Sequence, residues 1–536
     1  MAWAIETNLG EKKGKVEGLY PVVSSDQFGA VTSDQYLANL ASQEEHDMSR
    51  LEAIKAAPWA FVWCLFGAWC IVLASFQGMA GSTVFGIPQF RKDFGHEYNG
   101  EFILDGGWQS AIDGAPRAAV SIGTLAAAWL ADIIGRRYML LIGFGVCYVG
   151  VTLEVIATSI EVFFAGKMLV GFGIGCSSSI SLCYVGEIAP LAIRGLMTAI
   201  CAFGFALGPF AVAVTMNFTS TGTTRWAYRA VFCAQYGFLA VGTILCLLMP
   251  ESPWWLIGRD DHVAAEKSLR KLGVSTQDMP KRLASMRFTL AQVREETTGV
   301  TYLECFRLTN LRRTIISISP VSFQAFTGIT FINIYFAYYV QLAGYSPSES
   351  FRLQIVQQGL CMFGNVVSWF LIDLVGRRSL TLWGLVGVLI SHCTTGALAT
   401  RSDVGAIKGV IAMQLIFAWF YNVTIGATAF TILAEVSTSR LRAKSVAIGI
   451  FLQNILFTII AFVAPFLFNP DKANLGAKTT FIFAGLVLGA VVFVWFYLPE
   501  TTGRTFEELD EMFMKRVPAR KFKSYKTDAE ARNQPV

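Results

Sequence analysis

The sequence predicts an all-α membrane protein of twelve spanning helices, arranged as two pseudo-symmetric halves of six. Three observations carry that reading. Of the 536 residues 54% are hydrophobic and only 15% charged, with a mean hydropathy of +0.50, whereas soluble domains carry about 25% charged residues. The apolar residues gather into twelve runs long enough to cross a bilayer, which takes about 20 residues of helix. Three charged motifs also occur twice, in the same order. Asp132-Ile133-Ile134-Gly135-Arg136-Arg137 returns 241 residues later as Asp373-Leu374-Val375-Gly376-Arg377-Arg378. Glu187 with Arg194 returns 248 residues later as Glu435 with Arg442, and Pro250-Glu251 returns 249 later as Pro499-Glu500. Matched pairs at one spacing mean an internal duplication.

In order along the chain, the runs are 59–87, 108–130, 138–159, 162–183, 196–216 and 230–249, then 315–342, 355–374, 380–399, 410–433, 446–468 and 481–498. The polar stretch 251–313 divides them, and within it 263–272 and 286–297 have the apolar spacing of short amphipathic helices. The expected organisation is a tail at 1–57, a six-helix bundle at 58–249, a central loop at 250–314, a second bundle at 315–498 and a tail at 499–536. The first 57 residues are polar and mixed in charge, so no cleavable signal peptide is expected.

The basic residues set orientation. Arg136, Arg137, Arg194, Arg377, Arg378, Arg440, Arg442 and Lys444 fall on one side with the arginine- and lysine-rich central loop. The other side holds only scattered cases such as Arg91, Lys92, Arg225 and Lys472. The positive-inside rule puts the central loop and both termini in the cytoplasm. Asn217-Phe218-Thr219, expected in an outer loop, is a glycosylation sequon on the consistent side. The net charge of +5 is what such loops alone would give, so no nucleic-acid partner is implied. The 11 cysteines contain no CxxC pair and the four histidines no ligand spacing. We expect no metal and no cofactor. No catalytic constellation appears, so an enzyme is not expected.

A duplicated unit of several spans is the architecture of secondary transporters. The residues resemble a family of this kind, the sugar porters of the major facilitator superfamily. The likeness rests on the two D-x-x-G-R-R loops, Gly171-Phe172-Gly173-Ile174-Gly175, and Tyr184-Val185-Gly186-Glu187-Ile188-Ala189-Pro190 before Arg194-Gly195. It extends to Pro250-Glu251-Ser252-Pro253-Trp254-Trp255-Leu256 and Pro499-Glu500-Thr501-Thr502-Gly503. Glu435 with Arg440-Leu441-Arg442-Ala443-Lys444, and Asn469-Pro470 before Gly476-Ala477-Lys478-Thr479, are similar to the fungal branch that includes α-glucoside permeases. The resemblance implies two bundles rocking about a central site in the plasma membrane, with a monomer moving a small solute and possible coupling to protons. It also implies a cytoplasmic latch of Asp132, Arg136, Arg137, Glu187, Arg194, Asp373, Arg377, Arg378, Glu435 and Arg442, whose ion pairs hold the halves closed on that side.

The chain departs from the family pattern at the centre. Where proton-coupled members carry an aspartate in helix one, Gln77 stands, and glutamine exchanges no proton at physiological pH. The usual arginine opening helix four is Lys167. Helix seven keeps Gln324 but has Ala325 and Thr330. Ala202, Phe430, Ala427 and Ala429 stand where the family has a glutamine, a tryptophan and two prolines. Gln77, Gln324, Asn422 and Asn454 are the expected solute ligands, with Thr330 and Phe430 lining. Asn333 and Asn365 are alternative donors. Asp113 with Arg117, four residues on in the second run, reads either as a structural ion pair or as a displaced proton site. Glu154, which has no nearby opposite charge in sequence, is the better substitute for the latter. Three functions remain open: a transporter of a sugar or glucoside, a transporter or exporter of a less polar metabolite, and a sensor that binds solute without moving it. The tails of 57 and about 37 residues favour transport over sensing.

Overall fold

The computed structural model describes residues 40, 48–98, 100–297, 301–401, 403–437, 441–502, 504, 506–522 and 525, with side chains except at 50, 101, 292–297, 308, 309, 373, 443, 506, 507 and 510. Residues 1–39, 41–47 and 526–536 of the expected tails, Arg440, Gly503 and the side chain of Asp373 lie outside the described set.

Among the described residues, twelve helices are long and apolar enough to cross a membrane. Spans 1 to 6 are Pro58–Gly86, Gly106–Ile134, Arg136–Ile156, Ile160–Ile188, Leu191–Thr219 and Trp226–Leu248; spans 7 to 12 are Asn310–Leu342, Pro347–Ile372, Arg377–Leu398, Val404–Val436, Lys444–Phe468 and Gly476–Tyr497. Capping side chains set several starts. Asp105 accepts the Gly107 N–H at 2.7 Å to open span 2. Ser346 and Glu349 form a capping box at span 8, each satisfying a backbone donor that the first helical turn leaves open.

Two spans are broken. Span 7 is interrupted between Phe326 and Ile329, with Gly328 in the left-handed region at φ 69°. Span 10 breaks at Thr424, whose φ of −113° and ψ of −100° fit no helix. Broken spans free backbone carbonyls in the middle of the membrane, which is tolerated only where protein or an aqueous cavity satisfies them.

The glycine run of span 4 has a packing reason. A Cβ on Gly171 or Gly175 would stand 2.5 Å from the Pro116 oxygen or 2.1 Å from the Val120 oxygen of span 2. Only glycine lets these two backbones meet. The halves then touch along two seams, span 2 against span 11 and span 5 against span 8. Phe203 and Trp369, 6.3 Å between ring centroids, join the second seam.

The loop between spans 6 and 7 holds helices Pro253–Gly258, His262–Lys271 and Met279–Thr297. The last begins about two turns before the expected 286, because an apolar cluster of Leu256, Ile257, Ala265, Leu269, Met279 and Met286 extends across all three. A short hairpin, His96–Tyr98 paired with Glu101–Ile103, and the helix Phe506–Met514 were not foreseen from sequence.

Candidate gate and solute site

Gly135 and Gly376, with φ of 97° and 92°, turn the chain from span 2 into span 3 and from span 8 into span 9. Each turn presents two backbone N–H groups to one carboxylate. Glu251 accepts from Arg136 N at 2.8 Å and Arg137 N at 3.1 Å. Glu500 accepts from Arg377 N at 2.9 Å and Arg378 N at 3.2 Å. A carboxylate at a helix N-terminus is favoured by the exposed donors and by the helix dipole. The guanidinium groups repeat as faithfully. Arg136 pairs with Glu187 at 2.8 Å and Arg377 with Glu435 at 3.1 Å. Arg137 and Arg378 donate to the carbonyls of Leu247 and Trp495. Asp132 pairs with Arg136 at 3.2 Å but is largely exposed.

These pairs run inside each half. The latch expected to bridge the halves is in this conformation two matching clamps, one per half. Arg194 donates to the Ala189 carbonyl at 3.4 Å and lines, with Glu187, Trp254 and Met286, a cavity of about 230 Å³ beneath the central-loop helices.

The opposite face carries the bonds between halves. Arg91 donates to the carbonyls of Phe85 and Phe102 and to Gln341 Oε1 at 3.1 Å. Gln341 Nε2 returns a bond to the Gly86 carbonyl at 2.7 Å. Ser110 donates to the Phe462 carbonyl at 2.7 Å, and Lys472 stands 3.5 Å from Asp105. Burial works to raise the pKa of Asp105, but the Gly107 N–H and Lys472 outweigh it and hold the carboxyl below its usual value. Asn217 belongs to the last turn of span 5, not to a loop, and is half-buried.

The expected solute ligands differ in how far their polar atoms are used within the protein. Gln324 donates to the carbonyls of Ile425 and Gly426, in the first turn after the span 10 break, and accepts from Gln453 at 2.5 Å. Both of its amide protons are used within the protein. Gln453, one residue before the expected Asn454, is the partner that sequence reasoning missed. Asn454 and Thr330 are half-buried and Phe430 is 48% exposed. Asn422 donates to the Ala418 carbonyl of its own helix. Gln77 is fully buried, accepts from Cys147 Sγ at 3.6 Å, and its carbonyl accepts from Lys167 at 3.3 Å.

Glu154 is a correction to the sequence reading. It has a close opposite charge: Lys167 Nζ at 3.4 Å, with both side chains almost wholly buried. Gln235 donates to its second oxygen at 3.4 Å. Gly150 and Gly166 draw spans 3 and 4 together until a Cβ on Gly166 would lie 3.0 Å from the Glu154 nitrogen. Asp113 and Arg117 form the expected pair at 3.2 Å, and Ser82 of span 1 donates to Asp113 at 2.6 Å.

The family model for the sugar (and other) transporters matches residues 64–513. The general alpha-glucoside permease of Saccharomyces cerevisiae strain S288c is 28% identical over 501 residues, covering 92% of this chain and 81% of that protein. The MFS transporter fmqE of Aspergillus fumigatus is 28% identical over 535 residues, covering 96% and 98%. Among solved structures, the inward-open conformation of the xylose transporter XylE from E. coli superposes with a TM-score of 0.69 at 20% identity, over 84% of this chain and 99% of that one. Its partially occluded inward-open form gives the same TM-score at 18% identity. With twelve spans, duplicated clamps and this match over most of its length, the chain belongs to the sugar (and other) transporter family of the major facilitator superfamily.

Proposed function

We propose that the protein carries a sugar, of the glucoside class, across the plasma membrane by alternating access, as a monomer and without catalysing a reaction. The observation that carries the mechanism is the asymmetry between the two faces. Among the described residues, hydrogen bonds and an ion pair join the halves on the opposite face, around Arg91, Gln341, Ser110 and Lys472. On the arginine-rich face, the Arg136–Glu187 and Arg377–Glu435 pairs each lie within one half. A rocking mechanism needs one face closed while the other is free to part, and two rigid halves to move. The basic loops support placing the arginine-rich face and both termini in the cytoplasm, which makes this conformation inward-facing. The sugar reading is supported by the family match and by the α-glucoside permeases among its relatives.

The transport is proposed to run down the solute gradient. Span 1 offers Gln77 in place of a carboxylate, and the acids deep in the spans, Asp113 and Glu154, both face cations. A proton carrier must lose and regain its charge during the cycle, and a fixed cation opposes that. The apolar residues Ala202, Ala427, Ala429 and Phe430 favour a second reading, a less polar solute. Uptake of labelled sugars in a transport-null host separates the two: saturable uptake of a sugar supports the first, and none of any sugar tested supports the second.

A further inference from the structure

Among the buried polar atoms that have no hydrogen-bond partner among the described residues, one group lies toward the opposite-face ends of spans 2, 7 and 8. Asp113, Tyr335 and Gln354 each stand seven residues inside the opposite-face end of spans 2, 7 and 8, roughly 10 Å deep by helical rise. All three are at least 97% buried. Asp113 Oδ2, Arg117 Nε, the Tyr335 hydroxyl, both ends of the Gln354 amide, Gln357 Oε1 and Gln358 Nε2 have no partner among the described residues. Buried polar groups in native proteins are paired with few exceptions, so a cluster of exceptions needs a cause.

The geometry ties the cluster together. Ser82 brings span 1 to Asp113, and Phe85, about one turn further along span 1, stacks on Tyr335 of span 7. Gln357 reaches Asn333 of span 7 at 3.5 Å. Phe351, on the Gln354 and Gln358 side of span 8, packs against Gly86 of span 1. The rings of Phe85 and Phe331 flank Tyr335 at 6.5 and 5.5 Å between centroids. Arg117 keeps 31% of its side chain exposed although it lies eleven residues into its span, as expected for a charge beside an aqueous path.

We propose that Asp113, Arg117, Tyr335 and Gln354 form a subsite for a hydroxyl-bearing sugar ring, bridging the two halves directly beneath the closed face. Each hydroxyl of such a ring both donates and accepts. Asp113 offers an acceptor beside the Arg117 donor, Gln354 an acceptor beside two donors, and the flanking rings an apolar wall. A solute without hydroxyls would leave the same groups unpaired. Gln324, whose amide protons are already spent inside the protein, then acts as a strut between spans 7, 10 and 11. The subsite is whole only while the end of span 1, which carries Ser82 to Asp113, stands against spans 7 and 8, as the Phe85–Tyr335 and Gly86–Phe351 contacts place it, so a bound ring favours closure of that face. This rests on the reading of the solute as a sugar.

The test is equilibrium binding of maltose to the purified full-length protein in lipid nanodiscs. Gln354→Leu, close in size, and Asp113→Asn, isosteric, are each expected to raise Kd at least tenfold while the ligand-free melting temperature stays near wild type. If Asp113→Asn fails to fold, Gln354→Leu and Gln358→Leu decide. Unchanged affinity in a folded Gln354→Leu protein overturns the subsite and leaves the sugar reading standing. A wild-type protein that binds neither maltose nor glucose overturns the sugar reading and the subsite with it.

Discussion

Glu251 and Glu500 each hold two backbone N–H groups at the start of a span, and hydrogen bonds to a charged group contribute about 1.5–3 kcal/mol. Glu500→Ala should therefore cost at least that range in stability and Glu500→Gln less, since an amide keeps one acceptor. Thermal unfolding of the purified variants checks the order, and equal melting temperatures would contradict it. Gln324→Ala should also act on stability, by about 1–3 kcal/mol, because it leaves the buried Gln453 amide without its acceptor and removes the tie from span 7 to span 10. The measurement is again the melting temperature, read beside maltose affinity; a large affinity loss with no thermal change would return Gln324 to the solute site. The acids and arginines of the clamps were legible in the sequence because they occur twice. Their pairing was not. Arg194 is the nearest arginine to Glu187 in sequence, yet Arg136, 51 residues away, forms the bond, since glycine-mediated packing of spans 2 and 4 decides which ends meet.

Between elements, the pair joining spans 3 and 4 gives the sharpest expectation. Lys167→Met leaves Glu154 buried beside Gln235 without its cation, a change that costs about 3–5 kcal/mol for buried pairs. The double variant Lys167→Met, Glu154→Gln should recover most of that loss. Unfolding of both proteins tests it, and a double variant no better than the single would show that the pair is not coupled. Glu154 looked isolated in sequence because the register between neighbouring spans is set by where glycines allow contact, which a one-dimensional spacing does not carry. The span 8 glutamines Gln354, Gln357 and Gln358 were not singled out from the sequence. Which side of span 8 faces inward was not visible, because lipid is as apolar as a protein core and a spanning helix needs no polar outer face. Neither the span 7 break at Gly328 nor the span 10 break at Thr424 was read from the sequence, where both spans look continuous.

At the scale of the molecule, the duplication, the twelve spans and the charge asymmetry were all legible, because each is a repeated or summed property of many residues. The conformation was not, since one sequence must support both ends of a rocking cycle. If the Arg91 bonds hold the opposite face shut, Arg91→Ala should shift the balance toward opening there. Ser110→Cys should then react faster with an impermeant thiol reagent in the Arg91→Ala background, and an unchanged rate would remove Arg91 from the gate. In intact cells the same reagent should leave a cysteine placed in the 251–313 loop unlabelled; labelling there would invert the proposed orientation. The central claim is that this family member is a sugar carrier working without proton coupling. Uptake of labelled maltose and glucose in a transport-null host, with and without a protonophore, tests it most directly. The account predicts saturable uptake of at least one sugar that equilibrates without accumulating and is unaffected by the protonophore. Accumulation that the protonophore abolishes, or no saturable uptake of either sugar, would contradict it.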